Sequence, residues 1–308
     1  MKAPIVVVIF NRPDHAARLR ESLRGEESRD LYVLSDAARP HKPGEAEKVE
    51  QCRRLFEDWP GKVQVDYATG NLGCKRRVSS GLDWVFERTD RAIILEDDLL
   101  VREDFFAYCD QALELYADEP EVLSVCGSKL FPGAAGIGGH FLSRYANCWG
   151  WATWRRAWRD YDDRFAEPSL PMKFLRLRSH LGSCRAGLYW LFRMQQVLAG
   201  HLSSWFFCWM LSGFFKKGLH VYPSSNLVLN HGYGADSTHT LLREPYMPAA
   251  YGPPLDLPLL RPAAIETLPE ADRWIEDNLY SKSPAVRWRW LLRKVRLLLT
   301  RRRTGGRA

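Results

Sequence analysis

Along the first 125 residues the chain switches repeatedly between short β-branched apolar runs and longer stretches whose apolar residues return every three or four positions. Residues 5–10, 31–35, 63–68, 92–95 and 122–125 read as strands, and the apolar run 92–95 suits a sheet covered on both faces. Between them, residues 13–24 (opened by Pro13), 45–59, 75–87 and 103–116 carry helical periodicity. Alternation at this spacing predicts an α/β fold, a Rossmann-like, mostly parallel sheet flanked by helices. Beyond residue 126 the pattern changes. Residues 131–140, FPGAAGIGGH, read as a Gly-rich loop, and 148–158, CWGWATWRRAW, hold four of the twelve tryptophans. Residues 188–215 are helical and aromatic throughout, 219–222 resemble a further strand, and 226–240 form a polar loop. The prolines of residues 246–261 predict a path wandering over the surface. There is no internal repeat.

The polar residues fall in a telling place. Asn11 and Arg12 follow the first strand, Asp36 the second, Asn71-Leu72-Gly73 the third, and Glu96-Asp97-Asp98 the fourth. All lie at the carboxyl edge of strands expected to be parallel, where open α/β sheets bind ligands. Three consecutive carboxylates repel one another unless a cation sits among them. A hard divalent ion, Mg²⁺ or Mn²⁺, takes oxygen ligands and then serves substrate phosphates. An isolated Glu-Asp-Asp is as readily a solvated turn, but four polar groups on one edge are harder to dismiss. The absence of Gly-x-Gly-x-x-Gly and Walker patterns argues against a dinucleotide cofactor or P-loop chemistry. Trp149, Trp151 and Trp154 could form the floor of a sugar site, because pyranose C–H faces stack on indoles, or the core of a second subdomain.

At 308 residues, 46% hydrophobic and 26% charged, the composition is that of a globular protein with one large or two modest domains. The net charge of +7 belongs to the end of the chain: nine arginines and lysines after residue 283 face no acid, leaving about −2 elsewhere. No nucleic-acid partner is expected. On a helix, Val286, Trp290, Leu291, Val295 and Leu298 share one face with arginines on the other. Such a tail is expected to lie on an anionic membrane, the alternatives being a disordered tail or a helix docked on its own domain. Seven scattered cysteines suggest reduced thiols. The amino-terminal apolar run is broken by Asn11-Arg12-Pro13 and has no cleavage site, and no segment reaches the ~18–20 apolar residues of a membrane span. The expectation is a cytoplasmic protein, peripheral at the inner face of the cytoplasmic membrane.

Taken together, PIVVVIFNRP, LYVLSDA, NLGCKRRVSSGLDWVF, AIILEDDLLVREDFFAYC, CWGWATWRRAW and GLHVYPSSNLVLNHGYGADSTHT resemble GT-A glycosyltransferases, nucleotide-sugar-dependent enzymes with a Rossmann-like sheet. The match is to a bacterial, hemolytic-protein-like branch, and more distantly to Golgi N-acetylglucosaminyltransferases. It runs from residue 4 to about residue 240. The resemblance implies a glycosyltransferase domain over residues 1–245, with a nucleotide-binding half (1–126) and an acceptor-side half (127–245). A Pro-rich segment with a short helix (246–283) and the basic tail (284–308) would follow.

It also implies roles. Asn11, Arg12 and Asp36 would hold the nucleoside, and Asn71, Lys75, Arg76 and Arg77 the nucleotide or its diphosphate. Glu96-Asp97-Asp98 matches the DXD-type motif, whose last acid, Asp98, is the direct metal ligand. His239, with Asp236 nearby, would complete the metal site, and His231 is the weaker candidate. Trp149, Trp151 and Trp154 would stack on the acceptor or sugar. The implied reaction is metal-dependent transfer of a hexosyl or N-acetylhexosaminyl group from a UDP-linked donor to a glycan or lipid-linked saccharide, with inversion. One departure stands out. Where the Golgi relatives carry an acid between two tryptophans, Trp205–Trp209 reads WFFCW. The base would then come from elsewhere, with Asp162 or Asp163 the nearest candidates. Two other readings share features of this sequence: a sugar nucleotidyltransferase, which lacks support because no Gly-rich basic loop follows the first strand, and a non-catalytic sugar- or membrane-binding module.

Overall fold

In the computed structural model, which describes residues 2–133, 138–166, 168–232 and 247–282, the alternating pattern becomes a layered α/β molecule. The amino-terminal half runs β1 (Ile5–Ile9), α1 (Pro13–Ser22), β2 (Leu31–Ser35), α2 (Glu45–Arg54), β3 (Val63–Tyr67), α3 (Gly73–Phe86), β4 (Arg91–Glu96), β5 (Leu99–Val101), α4 (Asp104–Leu115) and β6 (Val122–Cys126). The rest runs β7 (His140–Ser143), β8 (Trp151–Trp154), α5 (Arg155–Trp158), α6 (Leu170–Leu181), α7 (Cys184–Leu198), α8 (Trp205–Phe215), β9 (Leu219–Pro223), β10 (Val228–Asn230) and α9 (Pro269–Leu279).

Eight strands form one sheet in the order β3-β2-β1-β4-β8-β6-β9-β7, and β10 pairs with β5 in a second, two-stranded sheet. The pairs β1–β2, β2–β3, β1–β4 and β6–β9 are parallel, while β8 runs antiparallel between β4 and β6, and β7 against β9. The expected α/β class with a mostly parallel sheet is the one the chain adopts. From β1 the chain steps outward through β2 to β3, then returns to place β4 on the other side of β1. That reversal opens a crevice between the carboxyl ends of β1 and β4.

Strand alternation divides the core. Val6, Ile94 and Trp151 face one layer with Leu82, Trp190 and Trp209, while Ile5, Val7, Ile93 and Leu95 face the other with Leu19, Phe105 and Leu113. The helical, aromatic stretch is broken where the sequence alone read it as continuous. Gly200, at φ 74°, follows the end of α7, and Ser204 caps α8 by accepting from the Phe207 N–H. The Pro-rich segment also departs from expectation, because it straps along α4 and does not wander. Leu255 N donates to Asp104 Oδ2 (3.1 Å) and Leu259 N to Gln111 Oε1 (2.8 Å), with both leucines buried. The seven cysteines are free thiols. Among the described residues no helix is long and apolar enough to cross a membrane.

Candidate functional site

The crevice is where the polar groups converge. In β4 the register Val8↔Glu96 brings the acidic turn alongside the end of β1, and Asp97 N donates to Val8 O at 3.0 Å. Arg12, one residue before α1, then reaches across. Its guanidinium grips Asp97 through Nε (3.3 Å) and Nη2, and the same Nη2 meets Asp98 Oδ2 at 3.2 Å. A side-chain cation therefore already sits against the acids. Even so the cluster is strained: burial, then the charges of Asp98 and Asp97, push Glu96 up to about 8. Burial raises Asp97 to about 6 in spite of Arg12.

The opposite wall comes from far along the chain. Because β10 pairs with β5 (Asn230↔Leu99), His231 N donates to Asp98 O at 2.8 Å. Gly232 then presses on the carboxylate so closely that a Cβ there would lie 2.1 Å from Asp98 Oδ2. Only glycine fits. Sequence reasoning passed over this residue, and a glycine next to a candidate histidine was the only hint. His15 was missed too. It sits in α1 within electrostatic reach of Arg12, Asp98 and His231. Cys74 and Cys148 likewise lie within the field of Glu96 and Asp98.

Other expected site residues are placed but committed to structural partners. Asp36 accepts from Ala37 N (2.9 Å), Leu72 N (2.9 Å), Gly73 N (2.8 Å) and Asn71 Nδ2 (3.2 Å). Those bonds fill the roughly four acceptor positions of a carboxylate and tie the end of β2 to the start of α3. Asn11 Nδ2 donates to Glu45 Oε1 at 2.8 Å, and Glu45 is itself clasped by Arg39, whose hydrogen bonds draw it down to about 2. Arg77 is buried against Asp66, beneath the sheet edge and not in the crevice. Lys75 pairs with Asp163 at 3.1 Å, joining α3 to the turn after α5. Arg76 is exposed.

No family model and no curated protein matches this sequence. Among solved structures, the chain is similar to mouse xyloside xylosyltransferase 1 in its apo form, at 12% identity over 68% of this chain and 81% of that one, with a TM-score of 0.33. It is also similar to UDP-glucose pyrophosphorylase complexed with UDP-glucose, at 8% identity over 46% of this chain and 62% of that one, TM-score 0.25. Likenesses this slight say nothing about the chemistry of this chain.

The acceptor side needs correction. Trp151 and Trp154 are 1% and 5% exposed, because they belong to β8 inside the main sheet. Trp151 packs with Trp205 (centroids 5.5 Å) and Trp209 (5.7 Å), so the WFFCW helix serves the core. Neither indole offers a face to a sugar, and only the half-buried Trp149 can. Of the proposed bases, Asp162 accepts from Arg164 N (2.8 Å) and Phe165 N (3.1 Å), which makes it a turn former. Asp163 is the less exposed of the two and forms an ion pair with Lys75 at 3.1 Å. His239, Asp236 and the tail lie outside the described residues.

Among the described residues, no three His, Cys, Asp or Glu side chains are arranged to hold a metal ion. The donor set nevertheless fits one kind of ion. Mg²⁺-like ions keep several waters and bind through one or two carboxylates plus substrate phosphates, which Asp98 beside Asp97 provides.

Proposed function

We propose that this chain is an inverting, metal-dependent glycosyltransferase that moves a hexosyl or N-acetylhexosaminyl group from a UDP-linked donor to a glycan or lipid-linked saccharide. The observation that carries the reading is the Glu96-Asp97-Asp98 turn at the sheet's reversal point, walled by Arg12 on one side and Gly232 on the other. Mn²⁺ or Mg²⁺ would be held by Asp98, with Asp236 and His239 as further ligands, and would stabilise charge on the departing diphosphate.

The chain's own residues supply the rest. Arg12 neutralises Asp97, which leaves Asp98 as the carboxylate facing outward. Arg76, exposed in the first turn of α3, would supply positive charge to a diphosphate lying over the crevice, while Lys75 is paired with Asp163. Trp149 would stack on a sugar ring. Asp163, oriented by Lys75, would accept the proton of the acceptor hydroxyl as it attacks the anomeric carbon from the face opposite the diphosphate. The basic tail would hold the enzyme at an anionic membrane surface, close to a lipid-linked acceptor.

Donor hydrolysis and transfer measured with a panel of UDP-sugars, with and without Mn²⁺, test the reading. Turnover that needs the ion and disappears in Asp98→Ala is expected. Metal-independent turnover, or wild-type rates in Asp98→Ala, would sink it.

A further inference from the structure

The described residues leave nine large hydrophobic side chains exposed, and six of them sit on two adjacent helices: Leu170, Met172 and Leu175 of α6, and Leu188, Phe192 and Leu198 of α7. Scattered exposed leucines are ordinary, but concentration on one supersecondary unit is not.

The two helices form an antiparallel hairpin laid on α8. They meet at Gly187, where a Cβ would stand 3.2 Å from Arg178 N and from the Phe174 ring. The inward faces are Leu177 and His180 on α6, and Ala186, Trp190, Met194 and Val197 on α7, with Trp190 against Phe214 at 4.9 Å. At about 100° per residue, Leu175 lies two positions beyond the buried Lys173, and Leu188 two beyond Ala186. That is roughly 200° round each helix, so both point directly away from the protein. Leu175 is 48% exposed, Leu188 58% and Phe192 59%. The result is an apolar face shared by the two helices.

The charge around this face is one-sided. From Pro168 to Ala235 the sequence holds no aspartate or glutamate, against seven lysines and arginines. Arg176 and Arg178, which flank Leu175 and Leu177, are exposed and make no ion pair with any described residue. The acidic helix α9 leaves one of its four carboxylates, Glu270, exposed and commits the other three. Its Asp277 is taken by Arg185, and its Asp272 and Glu276 are buried on Arg144 and Tyr145.

We infer that the α6–α7 hairpin is a membrane-contact surface that settles its Leu175–Leu188–Phe192 face among the acyl chains of an anionic bilayer, with Arg176 and Arg178 at headgroup level. An aliphatic and aromatic face flanked by exposed arginines matches the chemistry of an anionic lipid interface. The surface belongs to the described α6–α7 hairpin and holds whatever reaction the crevice carries.

Co-sedimentation of the full chain with phosphatidylcholine vesicles, with and without phosphatidylglycerol, decides it. Electrostatic attraction of the tail is screened at about 0.5 M salt, whereas apolar insertion persists. Wild type should therefore keep part of its binding to phosphatidylglycerol vesicles in high salt, and Leu188→Glu/Phe192→Glu should lose it, with partitioning lower by at least about tenfold. Leu188→Ser/Phe192→Ser gives an intermediate loss and decides the matter if the glutamate variant does not fold. Equal partitioning of folded variant and wild type would overturn the inference. So would a wild-type dimer that becomes monomeric in the variant while lipid binding is unchanged, because the face would then cover a second copy.

Discussion

Asp97 is locked to Arg12 and Asp98 only touches it, so the two carboxylates should answer differently to the same substitution. Asp98→Ala removes one of three mutually repelling acids and leaves the Arg12–Asp97 pair intact. Its unliganded stability should equal or exceed that of wild type, while metal-dependent transfer falls by at least about a hundredfold. Asp97→Ala leaves the Arg12 guanidinium, most of which is shielded from water, with only its 3.2 Å contact to Asp98 at this turn, and should cost about 2 kcal/mol in urea unfolding. The reverse ranking of stabilities would show that Arg12 is not the clasp described. Gly232→Ala acts on Asp98 without touching its chemistry. A methyl 2.1 Å from Oδ2 must push the carboxylate or the loop aside. Transfer should drop at least about tenfold, with unfolding stability changed by no more than about 2 kcal/mol. Wild-type turnover in this variant would mean that Asp98 does not need its observed position.

Among the elements, β9 and α6 carry a pH dependence that is independent of the acidic turn. His220 is fully buried with Nδ1 2.7 Å from Ser124 Oγ, and burial lowers it to about 3. His180, its ring tilted against Phe214 at 5.7 Å, is lowered to about 4 by burial and then by Arg144 and Lys217. Both are neutral in the folded state and bind protons only on unfolding below their ordinary value of about 6.5. Their contribution is therefore present above that pH and lost as pH falls toward the folded values. From pH 7 to 5 the loss is about 2 kcal/mol for each fully shielded histidine. The raised Glu96 and Asp97 act in the opposite sense, so the useful quantity is a difference between proteins. His220→Asn should lose about 2 kcal/mol less than wild type between pH 7 and 5 by urea unfolding. Equal losses would place the acid sensitivity elsewhere.

For the molecule as a whole, the nucleotide and ion should act as one ligand, because the described carboxylates are too few to hold the ion alone. UDP with Mn²⁺ at about a hundred times its dissociation constant should stabilise the fold by about 2.7 kcal/mol, with little effect from either alone. Thermal melts with UDP, Mn²⁺, both, and both plus a chelator read this directly. Full stabilisation by UDP without the ion would remove the metal from the site.

The alternation of β-branched runs and helical stretches, and the polar residues following each run, were legible in the sequence because both are local. A strand covered on two faces must be apolar throughout, and the residue after it is the first to meet solvent at the sheet edge. The acidic turn, Asp36 and Asn71 were thereby placed on one edge correctly. Their partners were not legible. Arg12 and Asp97 face each other only because β4 returns beside β1, and Gly232 reaches Asp98 only because β10 pairs with β5. The tryptophans show the same limit. Trp151 and Trp154 have a composition equally suited to a sugar floor or a core, and it took the antiparallel insertion of β8 between β4 and β6 to bury them. Local periodicity tells how a segment is covered, and only the tertiary fold decides which residue covers it.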